Sequence, residues 1–169
     1  GEKKFFAACA ERTGVPPAPH WVIQHDADVD NVPDHVLPGI LKTARMGYDG
    51  KGQARVKTRD DVRAAWKAMQ HVPCVLEQML PLQYEVSVLA ARAADGSTAT
   101  WPLAENVHRD GILFATTMPS TSVSGDIATR ARAAAATIAS EMGYVGVLCI
   151  EFFVLTDGTL VANEMAPRP

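Results

Sequence analysis

The most apolar stretch of this 169-residue chain runs from 145 to 155, and one of the two residues that interrupt it is Glu151. A second apolar run from 159 to 165 follows the turn signal Asp157-Gly158, so the two runs predict an antiparallel hairpin. A turn centred on that dipeptide makes Glu151 face Glu164. The same register pairs the flanking apolar residues, Phe153 with Ala162 and Leu155 with Leu160. One face of the hairpin is therefore apolar except for two carboxylates at its far end.

The predicted carboxylate pair needs a physical explanation. Cross-strand partners have Cβ atoms about 4.5–5.5 Å apart, and like charges at that distance repel unless one is protonated or a cation lies between them. A hard divalent ion such as Mg²⁺, bridging Glu151, Glu164 and phosphate oxygens, suits the geometry, and Asn163 could add an amide oxygen. The alternative is a turn longer by one residue, which would leave one glutamate facing solvent.

A second candidate site is the glycine-rich loop over 47–53. Three glycines in six positions leave backbone N–H groups free to turn toward a phosphate, and Lys51 adds positive charge. Lys42, on the strand that leads into the loop, can point toward the same phosphates. The loop has the glycine spacing of a Walker A motif, but Gln53-Ala54 replaces its Lys-Ser or Lys-Thr and a strand follows, which excludes a P-loop NTPase. The alternative is a flexible hairpin connection.

Composition excludes several classes of protein. Sixteen Lys and Arg against nineteen Asp and Glu give a formal charge of −3, so a basic stripe for nucleic acid is not expected. No run of about 18 apolar residues is present, so no membrane partner is expected. Cys9, Cys74 and Cys149 lie far apart without metal-ligand spacing, which is typical of reduced thiols in a cytoplasmic protein.

Periodicity and turn residues predict an alternation of short strands and helices. Residues 20–79 have the order β, short α, β, loop, β, α, β, and the rest of the chain is richer in strands. The strands are predicted over 20–23, 39–45, 54–57, 73–79, 85–91, 98–103, 146–155 and 159–165, with strand residues flanking a turn in 106–113. Helices are predicted over 2–12, 59–70 and 128–142, with a short acidic helix or turn over 26–35 and a loop over 116–122. Both chain ends look cut, so we expect an internal fragment of a longer protein.

Three segments resemble those of one enzyme family. The string from Lys42 to Gln53, Lys-Thr-Ala-Arg-Met-Gly-Tyr-Asp-Gly-Lys-Gly-Gln, closely resembles the phosphate loop of the N5-carboxyaminoimidazole ribonucleotide synthetases, which are ATP-grasp ligases of purine biosynthesis. Residues 105–113 and the string Asn-Glu-Met-Ala-Pro-Arg over 163–168 look like two more of its signatures. The resemblance covers essentially the whole chain. It implies an α+β ATP-grasp fold, with two α+β lobes and the nucleotide cleft between them.

The resemblance also implies a domain organisation. Residues 1–19 would be a helix and linker of the larger lobe, 20–79 the small lobe with the phosphate loop, and 80–169 the large lobe with the metal-binding hairpin. The N- and C-terminal domains of the family lie outside this sequence. The fragment alone is therefore expected to be inactive.

The resemblance assigns roles to individual residues. Those that would hold ATP phosphates are Lys42, Gly47, Tyr48, Asp49, Gly50, Lys51, Gly52 and Gln53. Those that would line the adenine pocket, with the backbone reading the base edge, are Glu77, Gln78, Met79 and Leu80. Glu85 would accept hydrogen bonds from the ribose, and His108 would also contact the nucleotide. Asn163 and Glu164, with Glu151, would bind Mg²⁺ or Mn²⁺. Tyr48, Asp49 and Arg168 would lie near the second substrate or the carboxyphosphate.

The implied reaction is the ATP- and bicarbonate-dependent carboxylation of 5-aminoimidazole ribonucleotide in a cytoplasmic homodimer. Two alternatives stay open. One is another ATP-grasp ligase or carboxylase, related to the formate- or biotin-dependent enzymes, with a different acceptor. The other is a nucleotide-binding module without catalysis, which would show little dependence on Mg²⁺.

Overall fold

The computed structural model describes residues 2–44, 52–109 and 112–169. These residues form two compact units, one of 2–17, 81–109 and 113–169 and a smaller one of 18–44 and 52–80 with Ile112. In chain order the elements are α1 (Glu2–Thr13), β1 (His20–Ile23), α2 (Asp26–Asp30), a 3₁₀ turn (Asp34–Val36), β2 (Gly39–Thr43), β3 (Gln53–Val56), α3 (Arg59–Ala68), β4 (Cys74–Gln78), β5 (Leu82–Arg92), β6 (Thr98–Thr100), β7 (Ala104–Arg109), β8 (Ile112–Thr117), α4 (Gly125–Glu141), β9 (Gly146–Leu155) and β10 (Leu160–Arg168).

The smaller unit is a four-stranded antiparallel sheet in the order β1-β4-β2-β3, covered on one face by α2 and α3. Alternate residues of β2 and β4 bury Leu41 and Leu76 in a core that includes Val62 and Trp66 of α3. The helix begins where the sequence predicts, because Thr58 Oγ1 accepts from the Asp61 N–H at 3.1 Å and the Asp61 carboxylate accepts from the Thr58 N–H. The opposite face of the sheet carries both polar and apolar residues, among them the ladder partners of β2 and β4 that alternate with the core residues.

The larger unit contains a six-stranded sheet in the order β10-β9-β5-β7-β8, with β6 paired to β5. One face of the sheet packs against α4. The small alanine side chains of α4 allow a close approach, and side chains of the sheet such as Ile150 and Phe152 are buried between the two. Phe6 of α1 joins the same core and is 1% exposed. Apolar residues on alternate positions of the strands therefore face the helices, and the other face is available for chemistry.

Several predicted boundaries are wrong for local reasons. The helix predicted over 59–70 ends at Ala68, because Gln70 and His71 have positive φ values of 58° and 56°. The acidic segment 26–35 is divided into α2 and the 3₁₀ turn, with Pro33 directly before the turn. Among the described residues, no helix combines the length and the apolar character needed to cross a membrane.

Candidate functional site

Glu151 and Glu164 are direct partners in the β9–β10 ladder, so the predicted carboxylate pair is confirmed. The predicted pairs nearer the turn are wrong. Leu160 pairs with Val154, Val161 with Phe153, and Ala162 with Phe152. The register then shifts between Ala162 and Glu164, so that Asn163 and Glu164 together oppose Glu151. This is a β-bulge, in which two residues of one strand face one residue of the other.

The turn explains the difference in register. It is centred on Asp157 instead of between Asp157 and Gly158, since Val154 and Leu160 are partners. The Leu155 N–H donates to the Thr159 carbonyl at 2.8 Å, and Asp157 Oδ1 accepts from the Thr159 N–H at 2.9 Å. The turn is thus longer by one residue than a two-residue hairpin turn. The extra residue at Asn163 compensates for it and brings Glu164 back opposite Glu151.

The carboxylate pair lies on the sheet face that does not pack against α4. In β9 the residues that join the core are Leu148, Ile150, Phe152 and Val154, so the alternate residues face the other way. Ladder partners share a face, which extends this surface sideways to Ser87 opposite Glu151 and to Asn106 opposite Glu85. The face combines several of the predicted site residues, namely Glu85, His108, Glu151, Glu164 and Arg168.

The surroundings of Glu151 on this face disfavour the charged form of its carboxylate. Burial raises the pKa of Glu151, and the charge of Glu164 raises it further, whereas His108 and Arg168 act in the opposite direction. Two carboxylate oxygens facing each other match the hard ligands of Mg²⁺, which is commonly held by one or two carboxylates together with substrate phosphates. The donor set therefore fits a magnesium ion. In the part of the chain that the structure describes, no group of three or more His, Cys, Asp or Glu residues could hold a metal ion.

Asn163, the predicted third ligand, has a second contact that the sequence did not indicate. The Lys3 ammonium donates to the Asn163 backbone carbonyl and lies 3.4 Å from its Oδ1. An amide oxygen has two lone pairs, so this contact leaves one for another partner. The metal-ligand role of Asn163 stays a prediction.

Glu85 and His108 are brought together by the β5–β7 pairing. His108 Nδ1 is in close contact with Glu85 Oε2, and both side chains are partly exposed. Next to them Asn106 donates from Nδ2 to Ser87 Oγ at 3.1 Å and accepts from Thr116 Oγ1 at 3.0 Å. Sequence reasoning missed Ser87 and Asn106. The signal that could have found them is the two-residue alternation along β5 and β7 from Glu85 and His108.

Arg168 lies on the same strand as Glu164 and pairs with Val147. Burial raises the pKa values of both Glu151 and the Cys149 thiol, and the charge of Arg168 opposes that rise without cancelling it. Arg168 itself is exposed. The guanidinium is therefore on the side of the sheet that carries the carboxylates and is accessible to an anionic ligand.

In the smaller unit Lys42 and Glu77 form an ion pair, with Nζ and Oε2 3.1 Å apart. The Glu77 side chain is only 8% exposed and that of Lys42 is 26% exposed. The pair lies on the face of the sheet opposite Leu41 and Leu76 because the residues alternate along β2 and β4. A buried carboxylate thus fixes the ammonium group that was predicted to hold phosphate.

The segment after Glu77 was predicted to read the adenine base through its backbone. The Gln78 N–H donates to the Pro19 carbonyl at 2.9 Å and the Met79 N–H to the Pro38 carbonyl at 3.0 Å. These two N–H groups already donate within the protein. Recognition of the adenine edge would therefore depend on the carbonyls of this segment and on the backbone of Leu80. The role of the segment stays a prediction.

The phosphate-loop residues Gly47, Tyr48, Asp49, Gly50 and Lys51 lie outside the described residues. Gly52 and Gln53 are described, and the Gly52 carbonyl accepts from the Thr43 N–H at 2.9 Å. Gly52 has φ of 78°, and a Cβ there would lie 2.7 Å from Thr43 Oγ1. A side chain at position 52 would therefore be strained and would crowd Thr43, which favours glycine there.

The family described as ATP-grasp domain matches residues 8–169. The N5-carboxyaminoimidazole ribonucleotide synthase of Brucella melitensis is 51% identical over 132 residues, which are 77% of this chain and 36% of that protein. The synthase of Vibrio parahaemolyticus is 37% identical over 176 residues, covering 99% of this chain and 46% of that protein. The chain thus spans less than half the length of these relatives.

A solved N5-carboxyaminoimidazole ribonucleotide synthetase in complex with ADP has a TM-score of 0.86 and 34% identity, covering 99% of this chain and 45% of that one. The predicted resemblance to these synthetases and the predicted α+β fold are confirmed. The chain belongs to the ATP-grasp family.

Proposed function

We propose that this chain is part of an ATP-dependent carbon–nitrogen ligase that carboxylates 5-aminoimidazole ribonucleotide to N5-carboxyaminoimidazole ribonucleotide. The observation that carries the proposal is the direct pairing of Glu151 with Glu164 on the sheet face opposite the core. The strings over 42–53 and 163–168 and the relatives named above support the choice of acceptor.

The nucleotide is ATP in this proposal, supported by the relative that was solved with ADP. Lys42 and the loop over 47–53 would hold its phosphates, and the segment from Glu77 to Leu80 would contact the adenine. Glu85 would accept from the ribose hydroxyls, and the contact of its Oε2 with His108 Nδ1 supports this role because it would restrict the orientation of the carboxylate. Each of these groups is a donor or acceptor of the type that its part of the nucleotide requires.

Glu151 and Glu164, with Asn163, would hold Mg²⁺ or Mn²⁺, which supplies charge neutralisation at the phosphate oxygens. The surroundings of Glu151 support this assignment, because a second carboxylate and burial both disfavour its charge when no cation is bound. Cation binding would therefore relieve a repulsion that is built into the hairpin.

The reaction has two steps. Bicarbonate attacks the γ-phosphorus of ATP, which gives carboxyphosphate and ADP. The amine of the aminoimidazole ribonucleotide then takes the carboxyl group, forming a carbamate and releasing phosphate. In the first step Lys42 would stabilise the negative charge on the phosphoryl oxygens. Arg168 would hold the carboxyphosphate by a bidentate contact, and the loop over 47–53 with Tyr48 would exclude water from it. Asp49 would lie near the second substrate or the carboxyphosphate.

The wider organisation is also part of the proposal. The two compact units would be the small and large lobes of the fold, with boundaries near 20–79 and 80–169 and with residues 1–19 in the larger lobe. We place the protein in the cytoplasm and expect a homodimer, the commonest symmetric assembly. Its partners are the three small substrates, without nucleic acid or membrane.

The test is ADP release by the full-length protein, measured with and without bicarbonate, aminoimidazole ribonucleotide and Mg²⁺. Release that requires all three supports the proposal. Release that requires bicarbonate but ignores the aminoimidazole substrate would assign the chain to another ATP-grasp carboxylase. Nucleotide binding without turnover and without Mg²⁺ dependence would indicate a module that has no catalytic role.

A further inference from the structure

The outer edge of β10 is contacted on both sides of the bulge by the first seventeen residues of the chain. Before the bulge, the Ala162 N–H donates to the Pro16 carbonyl at 2.9 Å, and Pro17 forms a parallel bridge to Ala162. After the bulge, the Met165 N–H donates to Glu2 Oε1. Between them Lys3 donates to the Asn163 carbonyl. The bulge is therefore held from outside at its extra residue, Asn163, and at the ladder residues on either side of it, Ala162 and Met165.

The helix that supplies these contacts is firmly attached to the same unit. Phe6 and Cys9 are buried, at 1% and 4% exposure, and Phe6 is part of the core beneath the sheet. Near the other end of α1, Arg12 contacts Glu141 of α4. The first turn of α1 is thus presented to β10 by a rigid element, which is what a positioning group requires.

The chemistry of Lys3 matches the bulge. A bulge leaves its extra residue outside the ladder, so the Asn163 carbonyl needs a donor from elsewhere, and an ammonium group offers three. A cation in the first turn of a helix is disfavoured by the helix dipole, so this position costs free energy unless the charge is used. Lys4, one residue later, is exposed and provides a natural comparison.

The bulge decides where Glu164 points. If the ladder continued from Ala162 without a bulge, Asn163 would oppose Glu151, and Glu164 would oppose Ile150 and turn toward the core. We propose that Lys3, assisted by Glu2, is a positioning residue that locks the bulge at Asn163 and so keeps Glu164 opposite Glu151. The part of this inference that concerns metal and nucleotide rests on the proposed function.

The experiment compares Lys3→Met with the conservative Lys3→Arg and with the matched control Lys4→Met in the full-length protein. Mn²⁺ affinity in the presence of ADP is measured by electron paramagnetic resonance, and amide exchange is measured over 163–165. Loss of an outer-shell partner typically weakens metal binding about 10–100-fold. We expect a loss of about tenfold for Lys3→Met and faster exchange at Met165, with Lys3→Arg and Lys4→Met close to wild type and all unfolding temperatures similar.

Equal Mn²⁺ affinity, or equal exchange, in Lys3→Met and Lys4→Met overturns the inference. If the wild type binds no Mn²⁺, the proposed function fails, and the exchange comparison alone decides whether Lys3 locks the bulge. If Lys3→Met does not fold, Glu2→Gln replaces it with the exposed Glu11→Gln as control, and faster exchange at Met165 is again the expected result. Wild-type turnover that ignores the aminoimidazole substrate changes the acceptor but leaves this inference standing.

Discussion

Glu151 and Glu164 face one another across β9 and β10, although the strand register differs by one residue on the two sides of the bulge at Asn163. The pair is partly buried on the Glu151 side and exposed on the Glu164 side. A protein that only needed a stable hairpin would gain nothing from this arrangement, since like charges on opposed positions are destabilising. The cation proposed above would give this arrangement a use, because its charge would offset the repulsion between the two carboxylates.

Replacing Glu164 with Gln in the full-length protein should abolish ADP release that depends on bicarbonate and aminoimidazole ribonucleotide. Loss of one metal-bound charge typically costs several kcal/mol of transition-state stabilisation, or on the order of a thousandfold in rate. The circular dichroism spectrum should remain that of the wild type. Glu11→Gln, on the exposed side of α1, is the control and should retain full activity. Near-normal turnover by Glu164→Gln would contradict the metal assignment.

Glu151 predicts a pH dependence of stability in the absence of metal. Its pKa is raised by burial and by Glu164, so the folded protein keeps a proton there at pH values where the unfolded chain has lost it. Protonated Glu151 therefore contributes to the free energy of unfolding below the ordinary glutamate pKa. This contribution is lost as the pH rises from that value through the raised pKa of the folded state. Metal-free Glu151→Gln should unfold at a higher temperature than wild type at neutral pH, with the difference shrinking as the solution is acidified.

Thermal unfolding in a chelator, scanned over pH, measures this difference. Adding Mg²⁺ with ADP should then raise the unfolding temperature of the wild type more than that of Glu151→Gln, because only the wild type has both carboxylates. If metal-free Glu151→Gln is less stable than wild type at neutral pH, neighbouring positive groups already stabilise the charged Glu151 carboxylate, and the prediction is wrong.

The Lys42–Glu77 pair predicts a loss of both stability and phosphate binding in Lys42→Met. An ionic hydrogen bond to a buried carboxylate contributes about 1–3 kcal/mol, so the free energy of unfolding should fall by that order. ATP affinity should fall as well. Chemical denaturation of Lys42→Met, Glu77→Gln and the double variant gives the coupling energy, with Lys57→Met as the exposed control. Additive effects of the two changes would show that the ion pair contributes nothing.

The proposed role of Glu85 predicts that the protein distinguishes nucleotides by their ribose hydroxyls. If its carboxylate accepts from the ribose hydroxyls, the wild type should bind ATP about tenfold more tightly than 2′,3′-dideoxy-ATP, and Glu85→Gln should lose most of that preference. Equilibrium binding of both nucleotides to both proteins measures this effect. The control is Glu105 on β7, the strand beside Glu85, whose carboxylate accepts from Ser120 Oγ. Glu105→Gln should keep the wild-type preference. Equal preferences in wild type and Glu85→Gln would remove Glu85 from the ribose site.

The sequence by itself determined the features that depend on neighbouring residues. Apolar alternation and turn residues placed most strands, and Thr58 fixed the start of α3. The strings around the phosphate loop and the final strand also indicated the family. All of these signals lie within a few residues of the structure that they specify, so they can be read without knowing what packs against them.

Tertiary structure decided what depends on residues far apart in the chain. The bulge at Asn163 is stabilised by Lys3 and Glu2, and the Glu85–His108 contact exists only because β5 pairs with β7. The simple hairpin count reached the right carboxylate pair through two errors that cancelled, a turn longer by one residue and a bulge that restored the register. Strand register is set by cross-strand and edge contacts, and the local sequence of one hairpin does not contain them.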